Sequence, residues 1–453
     1  MERTTELRFA DGDAGEFPAT WSQREFWATV REHRPDGFYQ IVWDTHLPDG
    51  RDLGEVLACL RRLVLRHQAL RTTVSRDETA GLRQIVRGEG SLPVRIEDVA
   101  DAGEGVHACE KLKAEFLAGE PHVDRDPPLK IAAVTRGGRV RSLVLACSHV
   151  VLDGGSVAVL EDELAALLAS GPDAALPPVA HTPADRAAEE QGPAAARVSE
   201  RSLAHWRATL LDAPVAPFAH IPGGRAPLWL GRLTSRRLWR AESSLVAGTG
   251  LTSGSVYLTA AACVLAEVTG RSRLTFRVPT GNRFTPVALD FVGALSQHAL
   301  ITVDTAPRDT AGGFAELART VERGLRRAYS RARYDPDELR RTIVETEAER
   351  GAPADLTYLF NDLRDEADKP GGGGWPMTAR EGKAEEAEEE EPELAWELLH
   401  AANSDIKLYV RVSGGAGLGG VDVAADEGCL TRAETEHVLR ATERLIVAQS
   451  PGC

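Results

Sequence analysis

The residues best suited to moving a proton in this chain are a histidine, an aspartate four positions on, and two glycines behind it: Ser148-His149-Val150-Val151-Leu152-Asp153-Gly154-Gly155. A neutral imidazole can take a proton from an attacking amine or alcohol, or hold a developing charge. A histidine beside an apolar run is more often a packed core residue. What singles out His149 is its place at a strand-to-helix turn, where a side chain is exposed on a rigid base. Asp153 has two readings: it orients the imidazole, or it bridges to an arginine and holds the turn. The second is favoured, because strand alternation does not aim Asp153 at His149. Gly154 and Gly155 permit positive φ and leave room for a ligand chain to approach the backbone. A Ser148–His149 dyad is disfavoured, since adjacent strand residues face opposite ways, and no GxSxG elbow surrounds it. Cys147 shares the His149 face by parity but stands two residues away along a strand, about 6.5–7 Å, which weakens a covalent mechanism.

The elements around this motif follow from its pattern. Residues 141–152 read as a buried strand, broken by Asp153-Gly154-Gly155. Ser156 is the expected cap of a helix through Val159, Leu160, Leu164, Leu167 and Leu168 that closes near Gly171-Pro172. Backbone N–H groups and a positive helix end would face whatever the turn faces. Upstream, Ser22 is placed to cap a helix with Phe26, Trp27 and Val30. A strand is expected over 38–46, an amphipathic helix over 53–67 with Val56, Leu57, Leu60, Leu63 and Val64 on one stripe, and a strand over 70–74.

At 453 residues the chain predicts two domains. The Ala-, Pro- and charge-rich stretch 176–200 reads as an interlobe linker with one short helix, between a first lobe at 1–175 and a second at 201–453. The second lobe is expected to hold helices around 203–210, 255–268 and 432–448, and strands at 274–278, 299–303, 407–412 and 421–424. No short repeat is present. A net charge of −15 disfavours nucleic acid as partner. Glu385, Glu386 and the run of glutamates at 388–391 follow Gly371-Gly372-Gly373-Gly374, and 371–391 reads as a solvated surface insertion. No apolar run spans a bilayer and the N-terminus lacks a signal-peptide pattern, so the expectation is a cytoplasmic enzyme without a membrane partner. Six scattered cysteines without a CxxC pair imply reduced thiols, and no metal is expected.

With these residues in view, the chain resembles the condensation domains of nonribosomal peptide synthetases, within the chloramphenicol-acetyltransferase-like superfamily. The family motif His-His-x-x-x-Asp-Gly is matched by Ser148 to Gly154 except at its first position. Ser22-Gln23-Arg24-Glu25-Phe26-Trp27 resembles the opening Ser-x-x-Gln-x-x-x-Trp segment with a shorter Ser-to-Gln spacing. Arg66-His67-Gln68-Ala69-Leu70-Arg71-Thr72 is similar to Arg-His-Glu-x-Leu-Arg-Thr. Pro279-Thr280-Gly281-Asn282-Arg283 and Phe291-Val292-Gly293 resemble two later loops. The ordered set spans nearly the whole chain.

The resemblance implies an α/β (α+β) fold of two acetyltransferase-like lobes in a V-shaped pseudo-dimer, with a tunnel reached by carrier-protein phosphopantetheine arms. It implies that His149 is catalytic, positioning or deprotonating the acceptor as it attacks a thioester. Ser148, Asp153, Gly154 and Arg71 would be motif-structural, with Arg71 the partner of Asp153; a surface ion pair is the other reading of Arg71. Gly155, Ser156, Arg283, Gly293, Ser296, His298 and Asn361 would line the tunnel, with 281–283 and 291–293 contributed by the second lobe. A turn-forming role is the other reading of Asn361. Ser148 replaces a histidine that mainly supports the loop, Ser296-Gln297-His298 departs from the family pattern, and 371–391 falls where relatives carry a latch between lobes.

The implied activity is transfer of an acyl or aminoacyl group from a carrier-protein thioester to an amine or hydroxyl. No bound cofactor is expected, and the donor would be presented on a phosphopantetheine arm. With no adenylation, ketosynthase or carrier module visible, the expectation is a free-standing enzyme served in trans by a peptidyl or acyl carrier protein. The alternatives are a catalytically silent module that recruits carrier proteins or tailoring enzymes, and an acyltransferase using coenzyme A thioesters.

Overall fold

Strands that are apolar on both faces need cover on both faces, which in mixed α/β folds comes from helices. The computed structural model describes residues 2–32, 40–77, 81–118, 123–125, 127–216, 218, 227–306, 313–364, 391–399, 406–415 and 417–450. The chain divides into two compact units, Met1–Arg197 with Gly281–Gln297, and Val198–Thr280 with His298–Cys453.

The first unit runs β1 (Glu2–Phe9), β2 (Gly15–Pro18), α1 (Trp21–Glu32), β3 (Gln40–Arg51), α2 (Leu53–Arg66), β4 (Thr72–Asp77), β5 (Gly81–Val86), β6 (Gly90–Asp98), α3 (Ala102–Ala118), β7 (Leu129–Arg136), β8 (Arg139–Ser148), α4 (Gly154–Ser170) and α5 (Pro183–Glu190). One sheet has the order β1-β6-β7-β8-β3 and a second the order β2-β5-β4. β8 lies between antiparallel neighbours β7 and β3, and its run Leu143, Val144, Leu145, Ala146, Cys147 is fully buried. Helix α3 packs Ala108, Cys109 and Leu112 against Ala132, Val134 and Val144 of that sheet. Helix α2 starts where the Asp52 carboxylate accepts the Glu55 N–H at 3.1 Å, and it buries Val56, Cys59, Leu60, Leu63 and Val64 as one stripe.

Helix α6 (Pro193–Asp212) carries the chain into the second unit. There follow β9 (Leu228–Ser235), α7 (Arg236–Thr249), α8 (Ser253–Thr269) and β10 (Arg273–Thr280). The chain then contributes α9 (Pro286–Leu289) to the first unit and returns as β11 (Gln297–Asp304), α10 (Gly313–Tyr329), α11 (Pro336–Arg350), β12 (Tyr358–Asp362), β13 (Glu393–Leu399), β14 (Leu408–Gly415), β15 (Leu418–Asp426) and α12 (Arg432–Gln449). These strands form one mixed sheet, β11-β10-β12-β14-β15-β9-β13. Its core surrounds α8, whose side chains from Ser255 to Ala262 are all buried.

Four expectations need correction. The one short helix expected in 176–200 is α5 (Pro183–Glu190), but α6 also begins in this stretch, at Pro193, and the division between units falls inside α6 rather than in a linker. Both helices have proline in the first turn, where its missing N–H costs nothing. Residues 281–297 pack with the first unit, not with the second lobe. The strand expected to reach residue 152 ends at Ser148, because the Ser148 carbonyl accepts the N–H groups of both Val151 and Leu152 at 3.1 Å and the chain turns there. Asp153, not Ser156, caps α4. The acidic stretch 371–391 lies outside the described residues as far as 390. Among the described residues no single helix is long and apolar enough to cross a membrane.

Candidate functional site

His149 sits in the turn that joins β8 to α4, half-buried. Its imidazole lies face to face with the Phe26 ring, centroids 4.0 Å apart and planes 16° apart. Phe26 belongs to α1, and α1 is held by a capping box. The Thr20 hydroxyl accepts the Gln23 N–H at 3.2 Å, and the Gln23 side-chain oxygen accepts the Thr20 N–H at 2.9 Å. Thr20, not Ser22, is therefore the capping hydroxyl. Counting from Thr20 restores the Ser-x-x-Gln-x-x-x-Trp spacing, with Thr in place of Ser. Ser22 is used elsewhere: its hydroxyl donates to the Ser296 carbonyl at 2.7 Å. The Gln297 side-chain amide donates to Glu25 at 3.0 Å, and the Trp21 N–H to Glu190 at 2.6 Å.

Asp153 is fully buried and organises the far end of the turn. Its Oδ1 accepts the Ser156 N–H at 3.0 Å, which caps α4, and its Oδ2 accepts the Leu295 N–H at 2.9 Å. The Arg283 guanidinium makes an ion pair with Oδ1. Through its other amino group Arg283 donates to the carbonyls of Ala288 and Phe291, both at 2.7 Å, so one side chain shapes the loop and clamps the motif. The Ser156 hydroxyl lies 2.9 Å from both Asp153 Oδ1 and the Gly293 carbonyl. It also accepts from Arg283 at 2.9 Å and from the Gly293 N–H at 3.0 Å. Asn282 enters the loop with φ +54°, a conformation asparagine tolerates, and its side-chain amide donates to the Leu295 carbonyl at 3.0 Å.

The expected Asp153–Arg71 pair is not formed. Arg71 is buried and its guanidinium is spent on Asp13 and on the carbonyls of Val64 (3.1 Å), Arg87 (2.7 Å) and Leu65 (3.3 Å). It holds the segment after α2 against the strand termini. Burial alone would raise the Asp13 carboxyl, but hydrogen bonds from Gln68 and Arg71, with the Arg71 charge, hold it below its ordinary value.

The room at Gly155 belongs to the protein itself. A Cβ there would overlap Arg283 Nε, so the glycine admits the arginine rather than a ligand chain, and neither Gly154 nor Gly155 has positive φ. Ser156, Arg283, Gly293 and Ser296 are brought together, but as the bonded surroundings of Asp153. The Ser296 hydroxyl stands 3.5 Å from Asp153 Oδ2. His298 and Asn361 lie in the second unit. The His298 N–H donates to the Tyr334 hydroxyl at 3.2 Å, and Asn361, on β12, donates to the Tyr409 hydroxyl at 3.3 Å.

The neighbours of His149 are poor nucleophiles. Burial pushes the Cys147 thiol up to about 12. Ser148 is buried, and its hydroxyl accepts the Val150 N–H at 3.3 Å within the turn. Sequence reasoning missed Phe26 as the ring partner, Leu295 as a donor to Asp153, and Glu163 of α4. Glu163 accepts from His67 at 2.7 Å and from Arg66 at 3.0 Å, fastening α4 to α2. Burial would raise the Glu163 carboxyl, but these bonds and charges lower it below its ordinary value. The Arg-His pair in 66–72 was the available signal. Among the described residues no three His, Cys, Asp or Glu side chains are grouped to hold a metal ion.

The turn thus offers a half-exposed imidazole on a rigid base, fit to accept and return a proton, with no competing nucleophile at the two preceding positions. The profile of the family described as Condensation domain matches residues 13–354. Chondramide synthase cmdD of Chondromyces crocatus is 27% identical over 200 residues, covering 43% of this chain and 5% of the synthase. Phosphinothricin tripeptide synthetase PhsB of Streptomyces viridochromogenes is 25% identical over 325 residues, covering 69% of this chain. The chain spans only 27% of the length of that synthetase. Among solved structures, one describing condensation domain-mediated chain release from the enacyloxin polyketide synthase superposes with a TM-score of 0.71 at 19% identity. It covers 99% of this chain and 86% of that one.

Proposed function

This chain belongs to the condensation-domain family, and from that premise we propose that it transfers an acyl or aminoacyl group from a carrier-protein thioester to an amine or hydroxyl, forming an amide or ester. The observation that carries this reading is the half-buried His149 ring, stacked on Phe26 and presented from a turn whose far end is locked by Asp153 and Arg283.

The acceptor nitrogen or oxygen attacks the thioester carbonyl carbon, and its proton passes to the imidazole. The carbon–sulfur bond breaks, and the thiolate of the phosphopantetheine arm takes the proton back from the imidazolium. Holding both substrates in line is worth about 7–11 kcal/mol of barrier, and base assistance about 10²–10⁴-fold. Asp153 touches neither proton; its role is to fix the backbone that aims the ring.

The test is product formation, followed by mass spectrometry, with donors loaded on a carrier protein supplied in trans. The wild type should turn over the carrier-bound donor, and His149→Ala should lose product while still binding the loaded carrier. Equal turnover of a coenzyme A thioester would point to a soluble donor. Indifference to His149→Ala would point to a recruiting module.

A further inference from the structure

We infer that Phe26 is a positioning residue for His149, fixing the plane in which the imidazole exchanges its proton. The inference rests on the acyl-transfer reading above and names what aims the ring. An imidazole accepts and returns protons along directions in its own plane, at its edge nitrogens. A phenyl ring stacked at 4.0 Å and 16° blocks rotation out of that plane while leaving the edge uncovered by the stack itself. Stacked aromatic rings hold a preferred relative orientation, so the pair favours one setting of the imidazole.

The base of the stack is tied to the same loop that locks the motif. Ser22, four residues before Phe26, donates to the Ser296 carbonyl at 2.7 Å, and Leu295, the next residue back, donates its N–H to Asp153 at 2.9 Å. Gln297 adds a bond to Glu25, beside Phe26. The 281–297 loop therefore sets the stacking ring and the aspartate end of the motif against one reference. Ser148 is committed to the turn, and Phe26 of α1 gives the imidazole its flat contact.

The experiment compares Phe26→Leu and Phe26→Tyr with the wild type in steady-state kinetics and in proton–carbon NMR of histidine-labelled protein, with His149→Ala assigning the signal. The stack should shift the His149 ring protons upfield in the wild type and in Phe26→Tyr, and release them in Phe26→Leu. Phe26→Leu should lose about 10-fold in kcat, the scale of a small misplacement, with KM for the loaded carrier held, and Phe26→Tyr should restore kcat. Unchanged kcat in Phe26→Leu with the upfield shift lost overturns the positioning role, as does a wild-type spectrum without the shift. Full turnover in His149→Ala overturns the transfer reading itself, and is seen independently of the NMR result.

Discussion

Arg283 pairs with Asp153 across 130 residues of chain, and the same guanidinium binds the Ala288 and Phe291 carbonyls of its own loop. The loop and the motif are thus one bonded assembly, and breaking either end should disturb the other.

A double-mutant cycle measures this. Arg283→Ala and Asp153→Ala should couple by about 1–3 kcal/mol in urea unfolding, whereas Arg71→Ala and Asp153→Ala should add to within about 0.5 kcal/mol. Arg71→Ala alone should be costly, because the buried guanidinium holds the Val64 and Leu65 carbonyls at the end of α2 to Asp13 and to the Arg87 carbonyl. Coupling between Arg71 and Asp153 would contradict the arrangement described.

The two motif glycines should behave oppositely. Nothing lies within 4 Å of a Cβ built on Gly154, so Gly154→Ala should be neutral or stabilise by up to about 1 kcal/mol. Gly155→Ala collides with Arg283 and should cost about 1–3 kcal/mol together with much of the activity. Thermal melts and initial rates of the pair check both signs.

Cys147 should resist alkylation in the native protein. Its thiol is pushed up to about 12 and fully buried, so iodoacetamide at pH 8 should leave it unmodified and the transfer rate unchanged at that site. Peptide mapping of the modified protein reads this directly. Labelling of native Cys147 in step with loss of activity would reopen a covalent route.

Acid stability should carry the signature of Glu163. Its folded carboxyl lies below the ordinary value of 4.5, so the unfolded chain binds the proton more readily. The stabilisation from His67 and Arg66 is complete above that value and is lost as pH falls through the lower, folded one. Glu163→Gln should therefore cost about 1–3 kcal/mol at neutral pH, and the gap to wild type should close in strong acid. Unfolding midpoints from pH 7 to pH 3 test the sign.

Much of this was legible from local pattern. The apolar run of β8 and the stripe of α2, with Cys59 buried in place of Leu57, follow from neighbouring residues, whereas the point where β8 ends and the cap of α4 do not. The α5 start is legible too, as Thr182-Pro183 with Asp185 forms a capping box, although a composition rich in alanine and proline points to linker. Which arginine meets Asp153 was not legible. Arg71 and Arg283 are both far away along the chain, and only the packing of 281–297 with the first unit decides between them. Phe26 reads equally well as a core residue of an amphipathic helix, and its stacking on His149 depends on how α1 is tied down.

The central claim is that the His149 imidazole carries the proton of the transfer. Single-turnover quench of a labelled acyl group on a saturating carrier protein, wild type against His149→Ala, tests it most directly. The account expects the rate of the chemical step to fall about 10²–10⁴-fold with carrier affinity preserved. Equal single-turnover rates in the two proteins would contradict it.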